Sequence, residues 1–277
     1  MKKRKFFYNL IFYICIIFFV TVILLPFVWQ FLTSIKPVDE IKAIPVIWFP
    51  SRIHTQYYFN VFQLHPFHLY LRNSFIVASS TTFLAMLIGS MAAYALARLR
   101  FKGKKIVLLL MLSVSMFPTI ATLSPLFLIL RSFRLLNTYA GLIIPYLTFS
   151  LPFSIWLMTN YFSRIPKGFE EAAAIDGCNR VQIYLKVMFP LIIPGIFSAG
   201  LLVFINSWNE FIYALTFMTR REMRTVPVGI ALFPSGYELP WGDIAAGSIV
   251  VVIPLIILVL IFQKRIIAGL TTGGVKE

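Results

Sequence analysis

Acidic residues are scarce in this chain. Of its 277 residues only 10 are Asp or Glu, 3 are His and 2 are Cys, and charged residues of either sign amount to 13%. So little charge cannot clothe a soluble globule, which excludes an ordinary water-soluble domain. Cys15 falls in an apolar run and Cys178 in a polar one, so neither a disulfide scaffold nor a metal-ligand spacing is available. His65-Pro-Phe-His68 has no Cys or Asp beside it, and Pro66 prevents the two imidazoles from sharing a helical face. The signatures of soluble-enzyme chemistry are missing as well. There is no G-x-x-x-x-G-K-[ST], hence no P-loop for ATP, and neither G-x-S-x-G nor H-E-x-x-H occurs.

What the chain has in abundance is long apolar runs. Apolar residues make up 59% of it. Runs of this length belong in lipid, where every backbone amide must be paired internally and helices are the economical answer. The expected fold class is therefore all-α, a polytopic membrane protein with six spans at about 8–32, 73–97, 106–130, 139–161, 191–217 and 245–263. The first follows Met1-Lys-Lys-Arg-Lys like a signal peptide, but its run is too long for one and no A-x-A site follows, so it reads as a retained helix. With the N-terminus inside, sixteen of the 25 Lys and Arg fall in inner segments and nine in outer ones, which places both termini in the cytoplasm. The formal charge of +15 then reflects topology and contact with the lipid bilayer. Basic residues scattered along membrane borders are not a nucleic-acid footprint, so no nucleic acid is expected as a partner.

Between the spans the segments differ in kind. Residues 33–72 form an outer loop with Pro37, Pro45, Pro50 and Pro66, too polar for lipid and too short for a domain. In the second span Gly89 and Ala93 stand four apart, a spacing that permits close helix packing. The third carries Pro118 and Pro125, which predict a kinked helix suited equally to lining a pathway or to packing. In the fifth, Asn206, Asn209, Glu210 and Tyr213 are spaced to share one broad helical face. A lone carboxylate in hydrocarbon is costly, so Glu210 is expected to face a cavity or a partner chain, as pathway lining or gate. Arg220–Asp243 reads as an irregular outer loop, a place for an external protein to dock, and the Gly-rich Gly269–Glu277 as a flexible tail.

A polar island, Glu170 to Pro190, separates the fourth and fifth spans. Glu170 and Glu171 suit the positive end of a short helix, Ala172, Ala173 and Ala174 extend it, and Gly177 is the natural place for it to end. Val181, Tyr184, Leu185 and Met188 repeat at helical spacing, and Pro190 is expected to part this second piece from the next span. The island reads as a helix–turn–helix at the membrane surface, with side chains small enough for another protein's backbone to come close.

The island resembles the E-A-A loop of permease subunits of binding-protein-dependent ABC importers, in which E-A-A is followed by G and, nine residues on, I-x-L-P. Glu171, Ala172, Ala173 and Gly177 match, with Asp176 beside the Gly, and Val187-Met-Phe-Pro190 stands at the far end with Val for Ile and Phe for Leu. Ala92-Ala-Tyr-Ala-Leu-Ala-Arg98, Pro145-Tyr with Leu151-Pro-Phe, Ser207-Trp-Asn-Glu-Phe211 and Gly269-Leu-Thr resemble the carbohydrate branch, in particular the smaller maltose-type and glycerol-3-phosphate-type permeases. The resemblance implies a type I importer transmembrane domain in the cell membrane. Residues 1–32 would be the cytoplasmic N-terminus and first helix, 33–72 the outer loop, 73–263 a five-helix core containing the coupling loop 164–190, and 264–277 a cytoplasmic tail. It further implies a homologous second permease, two ATPase subunits that carry the ATP and Mg, and an extracytoplasmic solute-binding protein. No cofactor is expected in this chain itself. An importer of amino acids or peptides, and an ion-coupled carrier, are the alternatives.

Overall fold

The computed structural model describes the backbone of residues 2–233 and 239–271, and the side chains of 8–233 and 239–263. The side chains of Lys2–Lys5, Lys264 and Arg265, residues Pro234 and Gly236 of the outer loop, and 272–277 of the tail lie outside them.

The described residues are helices joined by turns. They are α1 (Lys2–Ser34), α2 (Val38–Ile41), α3 (Gln56–Gln63), α4 (Phe67–Arg98), α5 (Lys104–Ser115), α6 (Thr119–Ser132), α7 (Ala140–Arg164), α8 (Gly168–Ile175), α9 (Arg180–Gln182), α10 (Phe189–Asn209), α11 (Ile212–Phe217), α12 (Val226–Ala231) and α13 (Trp241–Thr271). Among the described residues five stretches are long and apolar enough to cross a bilayer, and six if the bent pair α5–α6 counts as one span. The chain divides into two compact units, Met1–Phe67 with Ile230–Ile253 and His68–Gly229 with Pro254–Glu277.

Four expectations about the spans are corrected. The third is broken and not merely kinked. Pro118 is extended (ψ 124°) and cannot continue α5, so α6 restarts at Thr119 and the two helices meet at 90°. Pro190 breaks nothing: a wide π-helical turn, Ile183–Met188, joins α9 to α10, and the proline enters at the first turn of α10 where no N–H is needed. The fifth span ends early, at Asn209, because Glu210 turns extended (ψ 132°) before α11 begins. The final helix runs on to Thr271, through the start of the expected tail.

In the second unit, α7 and α10 form the packed centre. Ala85, Ala93 and Leu96 of α4 meet Ile155, Met158 and Phe162 of α7 and Ile192, Ala199 and Val203 of α10 in one buried cluster. Gly89 lies against Met158 and Ser154, so the small-residue spacing serves helix packing. Gly195 lies face-on to the Tyr161 ring, where a Cβ would come within 2.7 Å of its Cγ. Gly195→Ala is therefore expected to cost about 1–3 kcal/mol by overpacking. It should lower the melting temperature of the purified complex, and Tyr161→Ala should restore part of the loss.

Polar side chains of α4 secure the segment after α11. Asn73 donates to the carbonyls of Glu222 (2.8 Å) and Arg224 (3.0 Å) and accepts from the Tyr139 hydroxyl (2.9 Å). Ser74 Oγ accepts the Val226 N–H at 2.9 Å. In the first unit His65 is stacked on Phe233 at 4.0 Å, a packing role, and no metal-binding group occurs among the described residues.

Candidate coupling loop and transport cavity

The loop after α7 is built by local rules. Glu170 and Glu171 occupy the first turn of α8, where the helix dipole favours negative charge. At its other end Asp176 caps the helix and Gly177 turns left-handed (φ +81°). The Cys178 N–H reaches back to the Ala173 carbonyl (3.0 Å) and the Gly177 N–H to that of Ala174 (3.1 Å), a Schellman closure. One residue later Asn179 opens α9 with a reciprocal capping box. Its side chain accepts the Gln182 N–H at 2.9 Å, and its own N–H donates to Gln182 Oε1 at 2.8 Å. The turn between the helices is thus hydrogen-bonded from both sides and rigid.

One face of this helix–turn–helix is seated on the bundle. Ala173, Ile183 and Met188 are buried in the α4–α7–α10 cluster, and Cys178 and Tyr184 pack against it. The opposite face is bare. Glu171, Ala172, Asp176 and Gly177 are exposed, and so are Phe169, Val181, Leu185 and above all Ile175, at 86%. Pro190 is exposed beyond the π turn. Apolar side chains of this size left bare around a hydrogen-bonded turn are a surface for another protein or for lipid to cover.

Glu170 behaves differently from its neighbour. Its carboxylate lies 2.5 Å from Arg98 Nε, with both side chains largely covered, as a contact of charges not aligned for a hydrogen bond. Arg98 also donates through Nη2 to the Ile165 carbonyl at 2.5 Å. The end of α4 is therefore fastened to both ends of the short link that leads into α8. A double-mutant cycle of Arg98→Met and Glu170→Gln should give a coupling of about 1 kcal/mol in the thermal stability of the complex. Arg98→Met alone should cost more than Glu170→Gln, since it also strands a carbonyl.

The second site lies where α10 gives way to α11. The Glu210 carboxylate accepts the Tyr146 hydroxyl from α7 (2.5 Å), the Tyr213 N–H (2.8 Å) and the Ala214 N–H (3.1 Å). It closes the start of α11 and joins that helix to α7. The Tyr213 hydroxyl in turn is paired with Thr122 Oγ1 of α6 at 2.6 Å. Around this joint is a cavity of about 520 Å³ whose walls include Asn206, Glu210, Tyr146, Tyr213, Phe149 and Phe153. Aromatic faces and a few convergent polar groups are what a small polar solute needs. Asn206, Glu210 and Tyr213 come together as the spacing predicts, although across a helix break and not along one face. Asn209 does not line the cavity and is exposed.

Sequence reasoning gave Arg98, Tyr146 and Thr122 no role of their own, although Arg98 and Tyr146 lie in strings that resemble the carbohydrate branch. Each acquires its role only through a partner 64 to 91 positions away.

The family described as binding-protein-dependent transport system inner membrane component matches residues 85–271. The chain is 44% identical over 253 residues to the permease protein of the sulfoquinovosyl glycerol transport system of Agrobacterium fabrum, covering 91% of this chain and 89% of that one. It is 42% identical over 257 residues to the trehalose/maltose transport system permease protein of Thermococcus litoralis, covering 91% of each. Among solved structures it is similar to a chain of a bacterial ABC transporter involved in the import of the acidic polysaccharide alginate. That match has a TM-score of 0.78 and 25% identity, over 93% of this chain and 96% of the other. ABC importer permeases of this kind work with a partner permease, an ATPase and a binding protein. The chain is an integral membrane protein that belongs to the inner-membrane components of binding-protein-dependent transport systems, a permease subunit and not an enzyme.

Proposed function

We propose that this chain forms one half of the translocation pathway of an ATP-driven sugar importer and takes up motion from the ATPases through α8 and α9. The observation that carries this reading is the hydrogen-bonded turn at Gly177, seated on the bundle by Ala173 and bare on its other face. A rigid knob resting on the α7–α10 core transmits a push as movement of the spans. In this role Glu171, Ala172, Asp176 and Gly177 meet the ATPase, Ala173 and Glu170 seat the loop, and Pro190 marks the junction with the moving span.

Sugar is the favoured cargo because the relatives at 44% and 42% identity are permeases for sulfoquinovosyl glycerol and for trehalose/maltose. In the cavity Asn206, Glu210 and Tyr213 line the path, and the exposed Asn209 faces the second permease. The partners are a homologous second permease, two cytoplasmic ATPase subunits that bind ATP and Mg, and an extracytoplasmic solute-binding protein. Both termini are cytoplasmic, in keeping with the distribution of Lys and Arg. Residues 1–32 serve as N-terminus and first helix, 33–72 as outer loop, 73–263 as core with coupling loop 164–190, and 264–277 as cytoplasmic tail. The span of α1 buries none of its most apolar window inside the chain, which leaves it to lipid and to the second permease.

The test is uptake by the reconstituted complex. Labelled trehalose, maltose and sulfoquinovosyl glycerol are offered beside an amino-acid mixture and a dipeptide. ATP-dependent uptake of one of the sugars is expected. Uptake of the amino acids alone would overturn the cargo, and uptake by the purified chain without an ATPase would overturn the importer.

A further inference from the structure

The first unit contains two cavities that share Ile41 and Trp241 in their walls. They differ in how their polar groups are used. In the cavity of about 240 Å³ the charges are committed: Lys36 donates to the Ile47 carbonyl at 2.6 Å and lies over the Trp29 ring, and Glu40 accepts from Ser51. That cavity is a structural joint.

The second, of about 290 Å³, is lined by Tyr57, Asn60, Lys42, Trp241 and Asp243 among others; Lys42 is already engaged, but Tyr57 and Asp243 have capacity to spare. Tyr57 is only 6% exposed, yet its hydroxyl has no hydrogen-bond partner among the described residues. A buried hydroxyl without a partner costs about 1–3 kcal/mol, and such a group calls for something to satisfy it. The ring is held firmly, since Gly242 lies so close that a Cβ there would come within 2.4 Å of it, and His54 packs edge-on at 4.7 Å. Burial, and then the carboxylates of Asp243 and Asp39, push the Tyr57 pKa upward, so the hydroxyl keeps its proton. Among the described residues Asp243 receives one long hydrogen bond, from Asn60 at 3.4 Å, which leaves most of its acceptor capacity open to a ligand. The Trp241 side, half exposed at 51%, supplies a flat apolar wall.

We propose that this cavity is a second sugar-binding site, outside the pathway cavity, which holds one neutral sugar ring. A sugar ring presents an apolar C–H face and a rim of hydroxyls that both donate and accept. Trp241 takes the face, Asp243 accepts from the rim, and Tyr57 and Asn60 donate to it. An anionic headgroup or free anion fits poorly beside the Asp243 carboxylate. Its volume is at the small end of ligand pockets, suited to one ring of a longer saccharide. In the proposed topology this segment belongs to the outer loops, on the side where the solute arrives. The site rests on the sugar-importer reading and extends it.

The experiment uses the whole complex in nanodiscs without its binding protein, titrated with trehalose and with maltose while tryptophan fluorescence is followed. A saturable change is expected with at least one of them and should vanish in Trp241→Phe. In Tyr57→Phe and in Asp243→Asn, which keep the shapes, its Kd should rise about tenfold, as the loss of one good hydrogen bond implies. Sugar uptake by the complete transporter with no saturable signal, or a signal with the same Kd in Tyr57→Phe and Asp243→Asn, would overturn the site and leave the importer standing. If neither sugar is bound and no sugar is taken up, the importer reading falls and the site falls with it.

Discussion

Replacing Gly177 with proline will abolish substrate-stimulated ATP hydrolysis while the chain still inserts in the membrane. Gly177 sits at φ +81°, and a proline ring fixes φ near −65°. The substitution also deletes the N–H that closes the turn on Ala174. Strain of about 1–3 kcal/mol and a lost hydrogen bond together make the Schellman turn untenable, so α8 and α9 lose their fixed angle. A Cβ here meets nothing within 4 Å, so the damage comes from the backbone and not from a clash. Gly103 provides the matched control. It has φ +89° with equally open surroundings, in the turn before α5. Gly103→Ala and Gly177→Ala therefore impose similar strain at different places. In the reconstituted complex only Gly177→Ala should depress sugar-stimulated hydrolysis. Equal depression by both would mean that general destabilisation, and not the loop, is being read.

Glu210→Ala is expected to lower sugar uptake about 10- to 100-fold without preventing assembly with the ATPases. The alanine strands three donors at once: the Tyr146 hydroxyl and the N–H groups of Tyr213 and Ala214. Each stranded donor costs about 1–3 kcal/mol, and the α7–α11 connection is lost. Glu210→Gln should fall between, since an amide oxygen still accepts but more weakly than a carboxylate. Tyr146→Phe should reproduce part of the loss. A joint between moving helices shows as a fall in maximal uptake rate with little change in apparent KM. If the variants raise KM alone, Glu210 is a sugar ligand. Unchanged uptake in Glu210→Ala would remove it from the machinery altogether.

The spans and the loop were legible because their signals are local. Apolar length gives a span, and Glu-Ala-Ala followed by Gly gives a capped helix and its end, down to the left-handed glycine. The prolines were less legible, since proline states only that a donor is missing. At Pro118 the chain had nothing to absorb the break and turned by 90°, whereas at Pro190 a π turn absorbed it. The spacing of Asn206, Asn209, Glu210 and Tyr213 assumed an unbroken helix. Glu210 ends that helix by accepting the N–H groups that start the next, and so Asn209 falls outside the cavity. Glu170 and Glu171 look equivalent in the sequence. Arg98, seventy-two positions away, makes one a fastening and leaves the other bare.

In this mechanism α8 and α9 receive the ATPase. Ile175, at 86% exposed, is the position to ask. With Cys15 and Cys178 replaced by serine, Ile175→Cys in the assembled transporter should cross-link to an ATPase subunit through a short reagent that is thiol-reactive at one end and photoactivated at the other. Leu260→Cys, on the apolar face of α13, should not. An ATPase cross-linked through Leu260→Cys with none through Ile175→Cys, or an Ile175→Cys thiol labelled only from outside the cell, would contradict the account.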